Sequence, residues 1–337
     1  MRLGRFSGAM PLVLMTLLIV AVGAFATVRQ DAFLTSFNLN NLLLLTMPLA
    51  LVSLGQTCAL LVGGFDVSVA GLMTFCVVVA SYTMTFETSG WALLPGGLVL
   101  VAVGLATGIF NAVLIRVLKL PSIIATLGTL SILAGASLLL RDHPEGPISS
   151  DAVNGLTKSV SFVPIVFVAV VVFAVLADVW LYRTRTGLAM RAVGLDETSS
   201  RRLGMATGRM VILAFVLCSL MASLAGFYLA AQVQIGSPIL DINFTLESIA
   251  CAVLGGAALS GGRGSFVGTL LAALFLSLFD TILPLFHQPT EYSQITIGVL
   301  ILLALVLYQS PELLARLRTS RAGVARLQGG EADAPQG

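Results

Sequence analysis

Residues 162–182 read FVPIVFVAVVVFAVLADVWLY, a run of 21 residues in which Asp178 is the only charged side chain. A helix of roughly 20 apolar residues crosses the roughly 30 Å hydrocarbon core of a membrane. The run therefore predicts a membrane-spanning helix. The next residues, 183–209, read RTRTGLAMRAVGLDETSSRRLGMATGR and form a basic loop that is too polar to enter a membrane.

The composition of the whole chain agrees with this prediction. Of its 337 residues, 57% are hydrophobic and 10% are charged, and the mean hydropathy is +1.01. Soluble domains carry about 25% charged residues, and a chain with so few cannot cover a water-facing surface around so apolar a core. The composition thus excludes a soluble enzyme, a nucleic-acid-binding protein and a disordered protein.

Further apolar runs lie on both sides of residues 162–182, and together they predict an all-α, polytopic membrane protein. About ten runs are long enough to be spans, although the eighth is short and interrupted by glycine: 9–28, 40–62, 67–86, 92–115, 121–140, 162–182, 210–231, 247–260, 266–285 and 293–309. We expect residues 1–310 to form one transmembrane domain and residues 311–337 a basic, then Gly- and Ala-rich, disordered cytoplasmic tail.

The basic residues predict how this domain is oriented. With ten alternating spans and a cytoplasmic N-terminus, fifteen of the eighteen Lys and Arg residues fall on the inner side, as the positive-inside rule requires. Both termini are then cytoplasmic. The first run, followed by Ala24-Phe25-Ala26, resembles a cleavable signal peptide. We expect it to be retained, because it is longer than a usual signal sequence and more spans follow.

The loop at 183–209 is the one long inner loop, and its pattern predicts two short helices. Gly187 and Gly194 bracket the first helix, Asp196 begins the second, and Gly204 ends it. The second helix has an acidic first turn and a basic last turn, which suits the helix dipole. Helices of this kind, lying across a membrane face, offer a docking surface to a soluble partner. The alternative is that the basic loop only sets the topology.

Residues 247–268 read ESIACAVLGGAALSGGRGSFVG, a glycine-rich stretch that is not a nucleotide-binding loop. A P-loop needs GxxxxGK[ST] after a strand, with a lysine that reaches the phosphates, and this stretch has neither. We find no ATP-binding motif in the chain, so any ATP hydrolysis would belong to another subunit. Residues 63–68 (GGFDVS) and 255–260 (GGAALS) share a pattern that is too short to establish a repeat.

The polar residues inside the spans are mostly hydroxyls and amides, and no Lys or Arg lies at mid-span. This favours an uncharged solute that forms hydrogen bonds over an ion-coupled carrier, which would need several acidic groups in the membrane. Asp66 lies between two apolar runs, either as the N-cap of the third helix or as part of a polar cavity. Asp178 is expected to lie at the membrane interface. The candidate residues for lining a path are Asp66, Ser68, Asn111, Thr126 and Glu247.

The sequence indicates no catalytic residues, metal site or cofactor. Its four cysteines lie in apolar runs without metal-binding spacing, so we expect four buried thiols. The two histidines, His143 and His287, lie in polar stretches away from the cysteines. Both alternatives to an ATP-driven transport subunit, a secondary carrier and a membrane enzyme, have little support in these residues.

Over residues 40–310 the chain resembles a permease subunit of the bacterial ribose/xylose/arabinose-type ABC importers. Four stretches carry the resemblance in family order: GGFDVSVAG (63–71), LPSIIATLGTL (120–130), RTRTGLAMRAVGLDETSSRRLGM (183–205) and LESIACAVLGGAALSGGRGSFVGTLL (246–271). The resemblance implies a multi-pass protein of the inner membrane that carries a monosaccharide or related polyol. The implied partners are two cytoplasmic ATP-binding subunits, a periplasmic solute-binding protein and a second permease subunit, which we expect to be an identical copy.

The resemblance also assigns a coupling role to six residues of the basic loop. These are the positions that would meet the ATP-binding subunit: Gly187, Arg191, Gly194, Glu197, Arg201 and Gly204. The chain departs from the family pattern at Ala70, Leu195 and Ser199-Ser200. Permeases for branched-chain amino acids and nucleosides form a related group, so they remain alternatives, as does an ion-coupled secondary carrier of a different class.

Overall fold

The computed structural model describes residues 6–239, 243–289, 292, 294–296 and 298–299. Within the described residues, twelve α-helices have defined bounds: α1 (Phe6–Arg29), α2 (Ser36–Leu61), α3 (Val69–Thr83), α4 (Leu93–Arg116), α5 (Ser122–Leu140), α6 (Ser150–Thr157), α7 (Ile165–Arg183), α8 (Arg185–Leu195), α9 (Glu197–Arg202), α10 (Thr207–Val233), α11 (Phe244–Leu254) and α12 (Phe266–Leu285). Four short strands lie between them: β1 (Glu145–Pro147), β2 (Ser159–Val160), β3 (Val163–Pro164) and β4 (Ile235–Gly236).

Nine of the ten predicted runs contain an apolar helix. Within the described residues, seven helices are long and apolar enough to cross a membrane: α1, α2, α4, α5, α7, α10 and α12. Helices α3 and α11, with 15 and 11 residues, are apolar but shorter. The predicted tenth span (293–309) lies mostly, and the predicted tail (311–337) entirely, outside the described residues. The prediction of a helical, polytopic membrane protein is thus confirmed at this level.

A glycine pair lies in the turn before α3 and another in the turn after α11. The turn before α3 has Gly63 at φ +75°, and the turn after α11 has Gly256 at φ +103°, a conformation that glycine adopts without steric cost. Helix α11 therefore ends at Leu254, and the predicted continuation of this helix to residue 260 was wrong. The two turns lie close together, since a Cβ on Gly261 would lie 2.9 Å from the Gly63 nitrogen.

Helix α10 lies at the centre of the described structure and approaches α2, α3 and α4 through small residues. A Cβ on Gly55 of α2 would lie 2.7 Å from the Cys218 carbonyl oxygen of α10. A Cβ on Gly104 of α4 would lie 2.6 Å from Ser223 Cβ of the same helix. Backbones that approach this closely are typical of membrane helix packing, where small residues form the interfaces.

The first helix, α1, packs against α2 and α12. Ala26 of α1 forms a buried apolar cluster with Leu42, Leu278 and Ile282, and the Phe25 and Phe286 rings stack with centroids 6.0 Å apart. The chain divides into two compact units, residues 1–293 and 294–337. The described residues of the second unit, 294–296 and 298–299, are helical.

The segments between α3 and α4 and between α5 and α7 form a small cap at the face opposite the basic loop. Strands β1 and β4 pair there in antiparallel fashion, with Glu145 opposite Gly236. Arg141 holds this cap to α3, since its Nε donates to Ser81 Oγ at 2.7 Å and its guanidinium lies 4.2 Å from the centroid of the Tyr82 ring.

Candidate functional site

A chain of hydrogen bonds joins three of the predicted path residues across four elements. Thr129 Oγ1 on α5 donates to Asn111 Oδ1 on α4 at 2.6 Å, and Asn111 Nδ2 donates to Ser68 Oγ at 2.9 Å. Ser68 Oγ donates to Asp66 Oδ1 at 2.5 Å. Ser219 Oγ, on α10, donates to Asp66 Oδ2 at 3.4 Å. We call these five residues the polar cluster.

The fourth predicted residue, Thr126, holds the backbone of the same turn. Its hydroxyl accepts from the Val67 amide at 3.0 Å, and Ser122 Oγ, also on α5, accepts from the Phe65 amide at 3.1 Å. On the other side, Thr245 Oγ1 of α11 donates to the Val67 carbonyl at 3.2 Å. Side chains thus satisfy backbone groups that no helix can satisfy here.

Asp66 is not the N-cap of α3, so of the two alternatives the capping role was wrong. The N-cap is Ser68, and Asp66 Oδ1 accepts from the Ser68 amide at 2.9 Å, a local Asx-type turn. The Gln56 side-chain amide, oriented with its nitrogen toward the Asp66 carbonyl, forms two hydrogen bonds with the Asp66 backbone. Its nitrogen donates to the Asp66 carbonyl at 3.1 Å, and its oxygen accepts from the Asp66 amide at 3.3 Å. Asp66 therefore fixes the shape of the turn between α2 and α3.

The polar cluster is closed in this structure. Asp66, Ser68 and Asn111 of the cluster, and Thr126 beside it, each have 0% of their surface exposed. Glu247, the fifth predicted residue, is partly buried on α11, two positions after the Thr245 that contacts the turn. The structure therefore brings four of the five residues together around one turn, and their place on a solute path stays a prediction.

The basic loop forms the two helices α8 and α9. Helix α9 begins after Asp196, whose carboxylate accepts from the Ser199 amide at 3.0 Å, and Gly204 follows it at φ +78°, as predicted. Helix α8 is longer than the predicted stretch and includes both Gly187 and Gly194. A Cβ on Gly187 would lie 2.5 Å from the Trp180 carbonyl oxygen, so this glycine permits the sharp turn from α7 into α8.

Gly194 joins α8 to two turns that are distant in sequence. The Gly262 amide donates to the Leu61 carbonyl at 2.9 Å. A Cβ on Gly194 would lie 1.8 Å from that carbonyl oxygen and 2.5 Å from the amide nitrogen. A Cβ on Gly261 would lie 2.6 Å from the Gly194 oxygen and 2.9 Å from the Gly63 nitrogen. We call Leu61, Gly63, Gly194, Gly261 and Gly262 the glycine joint.

Two side chains reinforce the glycine joint. Arg191 Nε donates to the Gly262 carbonyl at 3.3 Å, and its guanidinium lies 4.5 Å from the centroid of the Tyr182 ring, within the range of a cation–π contact. The Tyr182 hydroxyl donates to the Gly264 carbonyl at 2.8 Å. The end of α7, helix α8 and the turn at 255–265 are thereby held together.

Asp178 has a structural role that the sequence did not predict, and its position at the membrane interface stays a prediction. Its Oδ1 accepts from the Phe266 amide at 2.7 Å, and its Oδ2 accepts from Ser265 Oγ at 2.8 Å and from the Val267 amide at 3.2 Å. The carboxylate thus caps the N-terminus of α12, where the helix dipole favours negative charge. The sequence feature that could have indicated this role is a single acidic residue in a span that contains no basic residue.

Glu197 contacts the membrane helices rather than projecting outward. Its Oε1 accepts from Arg116 Nη2 at the end of α4 and from Arg201 Nη2, both at 2.8 Å, and from Thr207 Oγ1 at the start of α10 at 3.2 Å. The Arg116 guanidinium beside it holds the pKa of Glu197 below its usual range. Sequence reasoning missed Arg116, although a basic residue at the inner end of a span could have signalled it.

The outward surface of the loop is apolar with basic neighbours. Leu195 and Leu203 are 66% and 77% exposed, and Arg201 and Arg202 are exposed beside them. Large apolar side chains exposed on a polar loop are typical of a protein-binding surface. The loop therefore has one side fixed to the helices and another side available to a partner.

Comparisons with known proteins agree with this arrangement. The family described as "Branched-chain amino acid transport system / permease component" matches residues 38–305. The chain is 32% identical over 294 residues to the autoinducer 2 import system permease protein LsrC of Enterobacter sp. strain 638, covering 86% of this chain and 84% of the relative. It is 33% identical over 261 residues to LsrC of Klebsiella pneumoniae, covering 77% and 75%.

A third relative is the ribose import permease protein RbsC of Escherichia coli K12, which is 29% identical over 297 residues, covering 86% of this chain and 90% of the relative. No solved structure matches the chain at a significant level. The predicted resemblance to importer permeases, and to a transport subunit rather than an enzyme, is confirmed. The chain belongs to the family of branched-chain amino acid transport system permease components.

Proposed function

We propose that this chain is the membrane-spanning subunit of an ATP-driven importer in the bacterial inner membrane. It moves a small neutral solute, a monosaccharide or related polyol, that a periplasmic binding protein delivers. Two cytoplasmic ATP-binding subunits drive it, and two identical permease copies form the channel. The glycine joint is the observation that carries the proposal, because it connects the basic loop to the turn of the polar cluster.

The contacts of the basic loop support ten alternating spans with cytoplasmic termini. The ends of α2, α4 and α7, the start of α10 and the turn after α11 all meet at this loop. In the ten-span model each of these points falls on the inner side, where most basic residues also lie. A topology with one span fewer in mid-chain would place some of them on opposite faces.

The polar cluster supports a neutral solute with several hydroxyl groups. It offers hydroxyl, amide and carboxylate groups that now bond to one another, and a sugar hydroxyl can donate and accept in the same way. The relatives named for import of ribose and autoinducer 2 agree with such a solute. The family description names branched-chain amino acids, so an amino acid or a nucleoside is the alternative cargo.

The proposed mechanism uses two mechanical links. When ATP binding closes the ATP-binding subunits, they displace α8 and α9. The glycine joint passes this displacement to the turns at 62–68 and 255–265, while Glu197 passes it to α4 through Arg116. Because Asn111 of α4 and Asp66 of the turn belong to the same cluster, their relative movement breaks the chain of hydrogen bonds and opens the path.

The test is to purify the tagged chain from its native membrane in mild detergent and to identify the proteins that accompany it. We expect a stoichiometric ATP-binding subunit, and sugar uptake into vesicles that requires ATP and the binding protein. If the chain emerges alone and vesicles containing only the chain take up solute, the proposal is wrong. Asp66 would then be the first residue to test for ion coupling.

A further inference from the structure

A cavity of about 430 Å³ lies between α7 and α10, with α2, α8 and α12 at its sides. Its lining is almost entirely apolar and it opens to the surface of the helix bundle. The lining residues are Leu54, Cys58, Phe173, Leu176, Ala177, Trp180, Thr186, Leu213, Leu217, Met221 and Phe266. Neither the polar cluster nor the glycine joint contributes a residue to it, so the cavity has no part in the mechanism above.

The cavity has the depth of one membrane leaflet. Its lining on α10 runs at four-residue intervals from Leu213 to Met221, a distance of about 12 Å along the helix axis. Half of the roughly 30 Å hydrocarbon core is about 15 Å. Trp180 and Thr186 lie at the end nearest the basic loop, so the cavity extends from that membrane face toward the bilayer centre.

Two arginines continue the lining faces just beyond the cavity. Arg183 follows Trp180 by three residues on α7, and Arg209 precedes Leu213 by four residues on α10, so helical periodicity places each on the cavity face. Both side chains are exposed. Neither guanidinium has a hydrogen bond or an ion pair to any residue that the structure describes, and the nearby Asp178 is engaged in capping α12.

We propose that this cavity binds an anionic phospholipid of the cytoplasmic leaflet, with an acyl chain between α7 and α10 and the phosphate bound by Arg183 and Arg209. The leaflet assignment rests on the topology given under the proposed function. Basic groups at the cytoplasmic end of an apolar interhelical pocket match the charge and shape of such a lipid. Since α7 ends where the basic loop begins and α10 begins where it ends, the lipid braces both ends of that loop.

The test is native mass spectrometry of the delipidated full-length permease, titrated with phosphatidylglycerol or phosphatidylcholine. We expect tighter binding of phosphatidylglycerol, without competition from inorganic phosphate. Each surface arginine adds about fivefold to the affinity for an anionic lipid, so the double variant R183Q/R209Q loses about 25-fold. K119Q, which removes an exposed charge of the loop between α4 and α5, is the matched control and binds normally.

A second pair of variants tests the acyl-chain site. A177F places a ring in the cavity and abolishes lipid binding, whereas V175F, two positions away and so on the opposite side of α7, leaves it unchanged. Equal binding of both lipids that R183Q/R209Q does not alter would overturn the proposal. An A177F variant that keeps the lipid would also overturn it, and a loss of dimer in that variant would indicate that a second copy fills the cavity instead.

The assay contains the permease alone, so its result is independent of ATP-binding subunits. A failure to find ATP-dependent uptake refutes the proposed function and leaves the lipid measurement standing. Competition by inorganic phosphate would instead identify a free-anion site and overturn the lipid assignment. Because Arg183 and Arg209 are exposed, their replacement does not disturb the packed core, and R183Q/R209Q remains informative even if A177F fails to fold.

Discussion

Gly194 and Leu61 lie in backbone contact, 133 positions apart in the chain, so closely that a Cβ on Gly194 would sit 1.8 Å from the Leu61 carbonyl oxygen. The G194A variant must therefore push α8 away from the end of α2. Such overpacking costs about 1–3 kcal/mol. We expect G194A to keep its ATP-binding partner in a pull-down and to lose at least about 90% of ATP-dependent uptake.

The control for G194A is G208A, in the first turn of α10. A Cβ there would lie 3.7 Å from Arg116 Nε, an ordinary contact, so we expect normal uptake and normal partner association. Wild-type uptake in G194A would show that the glycine joint does not transmit movement. Loss of the partner in G194A would show that Gly194 shapes the docking surface instead.

Glu197 and Arg201 give a second prediction about the basic loop. Replacing both, as in E197Q/R201Q, releases α9 from α4 and removes one exposed charge. We expect the double variant to insert normally in the membrane and to lose the ATP-binding subunit in a pull-down. R116Q breaks the contact from the α4 side and leaves the exposed surface intact, so it should keep the partner. Normal partner association and uptake in E197Q/R201Q would contradict the coupling role of this helix.

The Glu197 contact also predicts a pH dependence of stability. Because Arg116 lowers the folded-state pKa of Glu197, the carboxylate contributes stability that is fully present above its unfolded pKa of about 4.3. This contribution is lost as the pH falls through the lower folded pKa. We expect detergent-solubilised wild type to melt at a higher temperature than E197Q at pH 7. The difference should begin to shrink as the pH falls below the unfolded pKa of about 4.3 and should vanish only below the lower folded pKa. A difference that persists unchanged at low pH would exclude this ion pair as its source.

The polar cluster predicts a stability effect that depends on which hydroxyl is removed. T129V takes the donor away from Asn111 Oδ1 and leaves a buried amide oxygen unpaired, which costs about 1–3 kcal/mol. T107V removes an equally sheltered hydroxyl of α4 that bonds only to its own helix, at the Val103 carbonyl. We expect thermal unfolding to show a clearly larger loss for T129V. Equal losses would mean that the Thr129–Asn111 hydrogen bond contributes no more stability than a hydrogen bond within one helix.

These contacts show what the sequence could and could not predict. Hydropathy and length are local properties, so the long spans such as α7 and α10 were predictable from single runs. The end of α2 before Gly63 was likewise predictable, whereas the predicted run at 247–260 continued past the actual end of α11 at Leu254. The glycine joint was not predictable, because Leu61, Gly194 and Gly262 meet through the packing of whole helices. Two further contacts could be found only in the structure, for the same reason. One is the ion pair of Glu197 with Arg116, which lies 81 positions away in the chain, and the other is the capping of α12 by Asp178.

The Asp178 cap provides the last prediction, on how firmly the turn after α11 is held. Asp178 accepts two amides and one hydroxyl at the start of α12, and D178N keeps the shape of the side chain but loses its charge. Charged hydrogen bonds of this kind contribute about 1.5–3 kcal/mol each, and the asparagine retains part of them. We therefore expect D178N to lower the free energy of unfolding by about 2 kcal/mol, with E87Q, at an exposed acidic residue of the opposite face, as the neutral control. Because α12 begins two residues after the Gly264 that Tyr182 holds, a loosened cap should also reduce ATP-dependent uptake. A D178N variant that melts and transports like wild type would show that the carboxylate charge is dispensable for this turn.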